Sequence, residues 1–155
     1  MAKTLTMEFD YSAPVDTVRE LMKNAAFRES VCEAQHATSH AVAVEGDLVD
    51  ITYTQAVRKL PSFAAKFVGD SVEIHQREVW SAAGATFELT LPGKPGDISG
   101  TRTLTATADG ARDVVTATAK VGLPLVGGKL EELILQIFKR GAEREHRTAT
   151  ESLGA

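Results

Sequence analysis

The chain holds one cysteine, Cys32, so no internal disulfide can form and a structural zinc site built from several cysteines is excluded. Such usage suits a reducing compartment. Runs of about 18 consecutive apolar residues are missing, so no helix is expected to span a bilayer and no stable membrane insertion is expected. The opening stretch, MAKTLTMEFDYS, lacks the apolar segment of a secretory signal, and a cytoplasmic location is the expectation. Basic blocks are missing as well. Lys and Arg number 17 against 21 Asp and Glu, a formal charge of -4. Without a basic stripe to neutralise phosphates, nucleic acid is not an expected partner.

What is present is an ordinary globular composition, 43% hydrophobic and 25% charged, over 155 residues. That length fits one domain covering 1–155 with a core of its own. Leu5, Met7, Phe9 and Tyr11 alternate with polar residues, the period of a strand with one buried face. Ser12-Ala13-Pro14 reads as a helix entry, with Ser12 or its neighbour as the cap and Pro14 near the first turn. Val15, Val18, Leu21, Met22 and Ala25 form the helical stripe, Asn24 interrupts it, and Phe27 to Ala34 form a second helix. Cys32, at the end of that helix, reads as a small packed hydrophobe.

From Gln35 the period returns to two, and turn residues cut the segment into strands over 35–44, 47–58, 71–81, 84–91, 98–108 and 111–123. RKLPSFAAKFVGD, between the third and fourth strands, reads as a loop with a helical turn. After Gly127-Gly128, apolar residues spaced by three and four from Leu130 to Leu153 predict one long helix. Glu131 and Glu132 are expected in its first turn, complementing the helix dipole. They stand where an anion would have to sit, and the glycine pair lacks the spacing of a phosphate-binding loop, so no phosphate site is expected.

This order of elements, with YSAPVDTVRELM at the first helix and VGLPLVGGKLEELI at the last strand-to-helix junction, resembles the START-like superfamily. Its members include polyketide cyclases, lipid-transfer domains and plant allergens of the birch-pollen type. VRKLPSFAAKFVGDSVEIHQREVW is similar to an uncharacterised branch found mostly in actinobacteria. The resemblance implies an α+β helix-grip fold: a seven-stranded curved antiparallel sheet around a long C-terminal helix, in the order β-α-α-β-β-β-β-β-β-α. It also implies a ligand cavity between sheet and helix. Its motifs are structural and supply no catalytic residue and no cofactor.

Hairpin register gives an independent reading of the faces. With Glu45-Gly46, Ala82-Ala83 and Asp109-Gly110 as two-residue loops, His36 opposes Gln55, Arg102 opposes Ala117 and Leu104 opposes Val115. Taking Leu91 opposite Ile98 across the longer loop puts Phe87 opposite Arg102. One face then collects the apolar residues, Val49, Ile51 and Ala106 among them, while Thr101, Thr103, Thr105 and Thr107 mark a solvated face. Glu78, Phe87 and Arg102 fall in one inward row, the two charges roughly 9 to 10 Å apart at the backbone. Burying both is costly unless they pair, which favours a wet or ligand-filled cavity. Small residues at Gly100, Ala106, Ala117 and Ala119 add room beneath the helix, or let it dock closely.

The residues expected to face a ligand are Tyr53 and Gln55 on the third strand, and Gln76, Glu78 and Trp80 on the fourth. Phe87 and Leu89 follow on the fifth, Arg102 and Leu104 on the sixth, Ala117 on the seventh, and Ile134, Ile137 and Phe138 on the long helix. His36 and His40 would be same-face neighbours on a strand, yet no Cys or carboxylate completes a metal set there, and no metal is expected. The leading expectation is a binder or carrier of a small hydrophobic molecule, acting as monomer or homodimer. A cyclase or hydratase would use Glu78 as general acid or base and Arg102 as electrophile, although a Glu paired with Arg keeps a depressed pKa. A protein-interaction module would instead expose apolar residues of LPSFAAKFVG.

Overall fold

Alternation of apolar and polar residues produces β1 (Ala2–Tyr11) at the start of the chain. The computed structural model describes residues 2–57 and 59–154. Arg58, the last residue of the expected third strand and the first of the loop after it, lies outside the described residues.

Two short helices follow, α1 (Val15–Met22) and α2 (Ala25–Ala34). Pro14 itself is the cap of α1 and no side chain caps that helix, which corrects the expectation for Ser12. Its missing N–H costs nothing, and its carbonyl accepts from Val18 N at 3.0 Å. Asn24 separates the helices because its side chain caps the second: Oδ1 accepts from Phe27 N at 2.9 Å. Asn24→Ala is expected to lower stability by about 1 kcal/mol, read by thermal or urea unfolding.

The end of α2 explains why β2 (Ser39–Glu45) starts four residues later than the period suggested. His36 adopts φ 58, His36 N donates to Glu33 O at 2.9 Å, and Ala37 N donates to Cys32 O at 3.1 Å, a Schellman closure. His36 therefore belongs to a helix terminus and does not share a strand face with His40.

The remaining elements are β3 (Leu48–Ala56), α3 (Ser62–Val68), β4 (Ser71–Ser81), β5 (Gly84–Thr90), β6 (Asp97–Thr107), β7 (Gly110–Lys120) and α4 (Gly127–Ser152). The seven strands form one antiparallel sheet in the order β1-β7-β6-β5-β4-β3-β2. The α+β helix-grip arrangement is the observed one, with α3 as a short helix inside the expected loop. In α3, Ala64 turns inward and clusters with Val121 and Leu130, flanked by half-buried Phe63 and Phe67, while Ala65 is exposed.

Sheet faces fall where the alternation puts them, whereas cross-strand partners differ. Ser81 opposes Gly84 as expected, but Val44 opposes Val49, Leu89 opposes Ile98 and Arg102 opposes Val115. Each of those three pairings is displaced by two residues. At β2–β3 the cause is that Gly46, φ 60, takes the first central position of the turn, where a primed hairpin turn with one left-handed residue wants glycine. Arg102 therefore lies beside Ala85 and one row away from Phe87, whose cross-strand partner is Gly100. A Cβ on Gly100 would meet the Phe87 ring at 2.8 Å, so the absent side chain is space the ring already uses. Ala106 is exposed at the tip of the β6–β7 hairpin, contrary to the inward expectation.

Two apolar clusters cover the inner face. One, under α1 and α2, contains Val18, Met22, Phe27, Cys32, Trp80 and Leu104. The other joins Met7, Val115, Ala117 and Ala119 to Leu135 of α4. Ala117 and Ala119 are fully buried, and their small side chains let α4 seat over β1 and β7. The helix lies to one side of the sheet, and the concave surface over β3 to β6 is left unfilled. Gly127 opens α4, where a Cβ would approach Val121 O at 2.8 Å. Glu131 and Glu132 fall beyond the first turn: Glu131 is buried and accepts from Val121 N at 2.9 Å, while Glu132 pairs with Lys3 at 2.6 Å.

Candidate functional site

The unfilled space is a cavity of about 650 Å³ between α4, α3 and the inner face of the sheet. Alternate residues of β3 and β4 supply Tyr53, Gln55, Val72, Ile74, Gln76 and Glu78 to its wall; β5 and β6 supply Phe87, Leu89, Ile98 and Arg102. From α4 come Ile134, Ile137, Phe138 and Ala142, spaced as one helical stripe. Phe87 and Phe138 stack across the gap with centroids 5.6 Å apart. Ile137, at the rim, is 41% exposed. Trp80 and Leu104 do not line the cavity: both are packed under α1 and α2, and Ala117 sits beneath α4. Trp80 and Leu104 stand toward the hairpin ends of β4 and β6, beneath α1 and α2, and the lateral seat of α4 covers Ala117.

At the inner end the wall becomes charged. Glu78, 1% exposed, receives Nη1 and Nη2 of Arg28 at 2.9 and 2.8 Å, Trp80 Nε1 at 2.9 Å, and a short hydrogen bond from Gln76 Nε2. Arg102 instead donates through Nη2 to Asp113 Oδ2 at 2.6 Å and lies 2.8 Å from Glu145 Oε1. Glu145 Oε2 reaches back to Arg28 at 3.5 Å and joins the two halves. Glu78 and Arg102 are thus both inward and buried, as their parity requires, but their ion-pair partners are Arg28 for one and Asp113 and Glu145 for the other.

Arg28, Asp113 and Glu145 were not among the expected site residues, although each carried a signal. Asp113 has the parity of Val115 on β7. Glu145 continues the Ile134, Phe138, Ala142 stripe of α4, and Arg28 shares the α2 face of Val31 and Cys32, all three buried. Polar residues on apolar stripes mark a buried network as surely as the apolar ones mark a core.

Burial alone would raise the Glu78 pKa. The charges of Arg28 and Arg102, with hydrogen bonds from Arg28 and Gln76, outweigh it and hold the carboxyl below its ordinary value. Burial would also lower Arg28 and Arg102, but the carboxylates around them keep both raised. The four donors on Glu78 leave it without a free lone pair for proton transfer, which removes the geometry that a Glu78 acid–base mechanism needs. Tyr53 differs. Burial raises its pKa, so the phenol stays neutral, and its hydroxyl makes no hydrogen bond to the described residues. Burial likewise pushes up the Cys32 thiol, in keeping with a packed, unreactive residue.

Because the folded-state pKa of Glu78 lies below its unfolded value, its stabilising contribution is complete above the unfolded value and disappears as pH falls through and below it. Unfolding free energy is expected to fall below about pH 5. Asp10 beside Arg112 and Glu132 beside Lys3 are also held low, so the wild-type profile alone does not isolate Glu78. An Arg28→Met/Glu78→Leu variant should show a shallower acid loss in urea titrations between neutral and acid pH. An equal slope would assign the acid sensitivity elsewhere.

A curved seven-stranded antiparallel sheet gripping a long C-terminal helix beside a largely apolar cavity is a helix-grip fold. Residues 6–153 match the model of a family described as "Protein of unknown function (DUF2505)", and the chain belongs to that family. The uncharacterized protein Rv0481c of Mycobacterium tuberculosis is 25% identical over 151 residues, covering 86% of this chain and 87% of that protein. Among solved structures, TTHA0849 from Thermus thermophilus aligns with a TM-score of 0.68 at 20% identity, covering 96% of this chain and 95% of that one. The di-domain ARO/CYC StfQ from the steffimycin biosynthetic pathway aligns with a TM-score of 0.71 at 13% identity, covering 99% of this chain and 53% of that one. At these identities the likeness is one of fold.

Proposed function

We propose that the chain binds and carries a small hydrophobic molecule, such as a lipid, an isoprenoid or a polyketide-like aromatic, in the cavity beside α4. The observation that carries this reading is the cavity itself, about 650 Å³ with a wall mostly of aliphatic and aromatic side chains. Its volume lies within the range of small-molecule sites, which combine an apolar wall with a few placed polar groups. Tyr53 is the polar contact offered to the ligand, because its neutral hydroxyl can donate or accept while Glu78 is already saturated. Leu89, Ile134, Ile137 and Phe138 would clasp the apolar body, with Gln55 and Gln76 beside the polar end. A cytoplasmic location belongs to the same reading, in which Cys32 stays a reduced core residue.

Native mass spectrometry of protein purified gently from its own host is expected to show a bound small molecule, and emptied protein should bind a hydrophobic fluorescent probe saturably. Protein that carries nothing and binds no such probe would overturn the proposal.

A further inference from the structure

Strand register gathers most of the lysines at the cavity end of the molecule, beside Asp70, Asp97 and Glu132. Six of the chain's eight lysines, Lys3, Lys59, Lys66, Lys94, Lys120 and Lys129, lie there, although the chain as a whole has a formal charge of -4. The opposite end carries Asp10, Glu45, Asp47 and Asp109 at the far strand ends and hairpins, with Asp10 paired to Arg112 and Asp47 to Lys23. Some of the basic charge is neutralised: Lys3 pairs with Glu132, and Lys120 opposes Asp97 in the register. Lys59, Lys66, Lys94 and Lys129 form no ion pair with the described residues.

Leu125 projects at this same end. It is 100% exposed, in the junction between β7 and α4, with φ 70. The left-handed region is costly for a leucine. Around it the junction is firmly built: Leu123 and Val126 pack with Val121, Leu130 and the aromatic rings of α3. Lys129 stands 5.8 Å from the Phe63 ring, and Lys66 stands 5.2 Å from the Phe67 ring. A protruding aliphatic side chain among lysines that form no ion pair with the described residues suits a fluid, negatively charged, apolar-cored surface. It lacks the broad, dry aromatic patch of a protein interface.

We propose that this end docks reversibly on an anionic lipid bilayer, with Leu125 entering the acyl boundary and Lys59, Lys66, Lys94 and Lys129 facing the headgroups. The cavity then opens toward the membrane, since Lys59 and Lys94 also stand on its rim. The proposal goes beyond carriage of a ligand and does not rest on it, because docking needs no occupied cavity.

The test is flotation of the full chain with phosphatidylcholine vesicles and with phosphatidylcholine vesicles enriched in phosphatidylglycerol. Binding is expected to the anionic vesicles only, and to disappear when salt shortens the screening length to about 3 Å. Leu125→Gly keeps the backbone comfortable at φ 70 and should weaken partitioning at least tenfold, by roughly the transfer of one leucine side chain. Lys66→Gln and Lys129→Gln should each weaken it about fivefold. Both kinds of variant should melt with the wild type, which separates lost docking from lost folding. Equal binding to neutral vesicles, no binding to either at low salt, or variants that partition like wild type would each overturn the proposal. Probe binding measured without vesicles reports on the cavity separately.

Discussion

Arg28→Ala is expected to cost about 3 to 5 kcal/mol of folding stability, the usual result of stripping the partner from a buried charge. Glu78 would keep Gln76 and Trp80 as donors but lose both guanidinium bonds, and its side chain is only 2% exposed. Arg102 cannot replace Arg28 without abandoning Asp113, which is fully buried and has no other ionic partner among the described residues. Arg28 also ties the carbonyl of Met22, at the end of α1, to the sheet, so its removal loosens the helix pair as well. A fall in melting temperature of roughly 10 °C is expected for a chain of this size. Glu145→Gln should cost less, since that carboxylate is 13% exposed and stands 3.5 Å from Arg28, while Arg102, which it meets at 2.8 Å, keeps Asp113 as its partner. Arg28→Met combined with Glu78→Leu should recover much of the loss, because an apolar pair of similar volume needs no solvation. If Arg28→Ala melts with the wild type, the network is not a structural keystone.

How much of this site the sequence reveals is decided first by one symmetry of the polypeptide. Side-chain direction in a strand repeats every two residues, so a pairing error of two leaves every face intact. Glu78 and Arg102 therefore point inward as their parity says, and Thr101 and Thr103 point out. At β5–β6 and β6–β7 the shift replaces every cross-strand neighbour, which is how Arg102 comes to lie beside Ala85 and how its expected bond with Glu78 gives way to one with Asp113. At β2–β3 turn chemistry sets the shift. Gly46 occupies the first central position of its turn, a choice that depends on backbone angles more than on the presence of a Gly in the loop. The partnership of Arg28 with Glu78 joins a helix to a strand 50 residues away, and no local period reports on such a pair. The lateral seat of α4 was equally hidden. Fully buried Ala117 and Ala119 are compatible with a void or with close docking, and only the position of Leu135 decides for docking over β7 and a void over β4 and β5.

That division of the inner face leads to the most direct assault on the cavity. Ala142→Trp, on the α4 stripe that lines it, should reduce affinity for a hydrophobic probe at least tenfold while leaving the melting temperature within a few degrees of wild type. The indole enters open space, so the overpacking penalty of about 1 to 3 kcal/mol for a filled core is largely avoided, and the new apolar contacts offset what remains. A ligand loses the same space together with the dispersion contacts of that wall. Thr103→Trp, on the solvated face of β6, adds the same ring without touching the cavity and should bind probe as the wild type does. Comparing saturation curves and melts of the three proteins separates steric exclusion from global damage, since a destabilised variant would lose both and a filled one only binding. A variant at Ala142 that folds and still binds probe with unchanged affinity would mean that the probe sits elsewhere, and the carrier reading would lose its site.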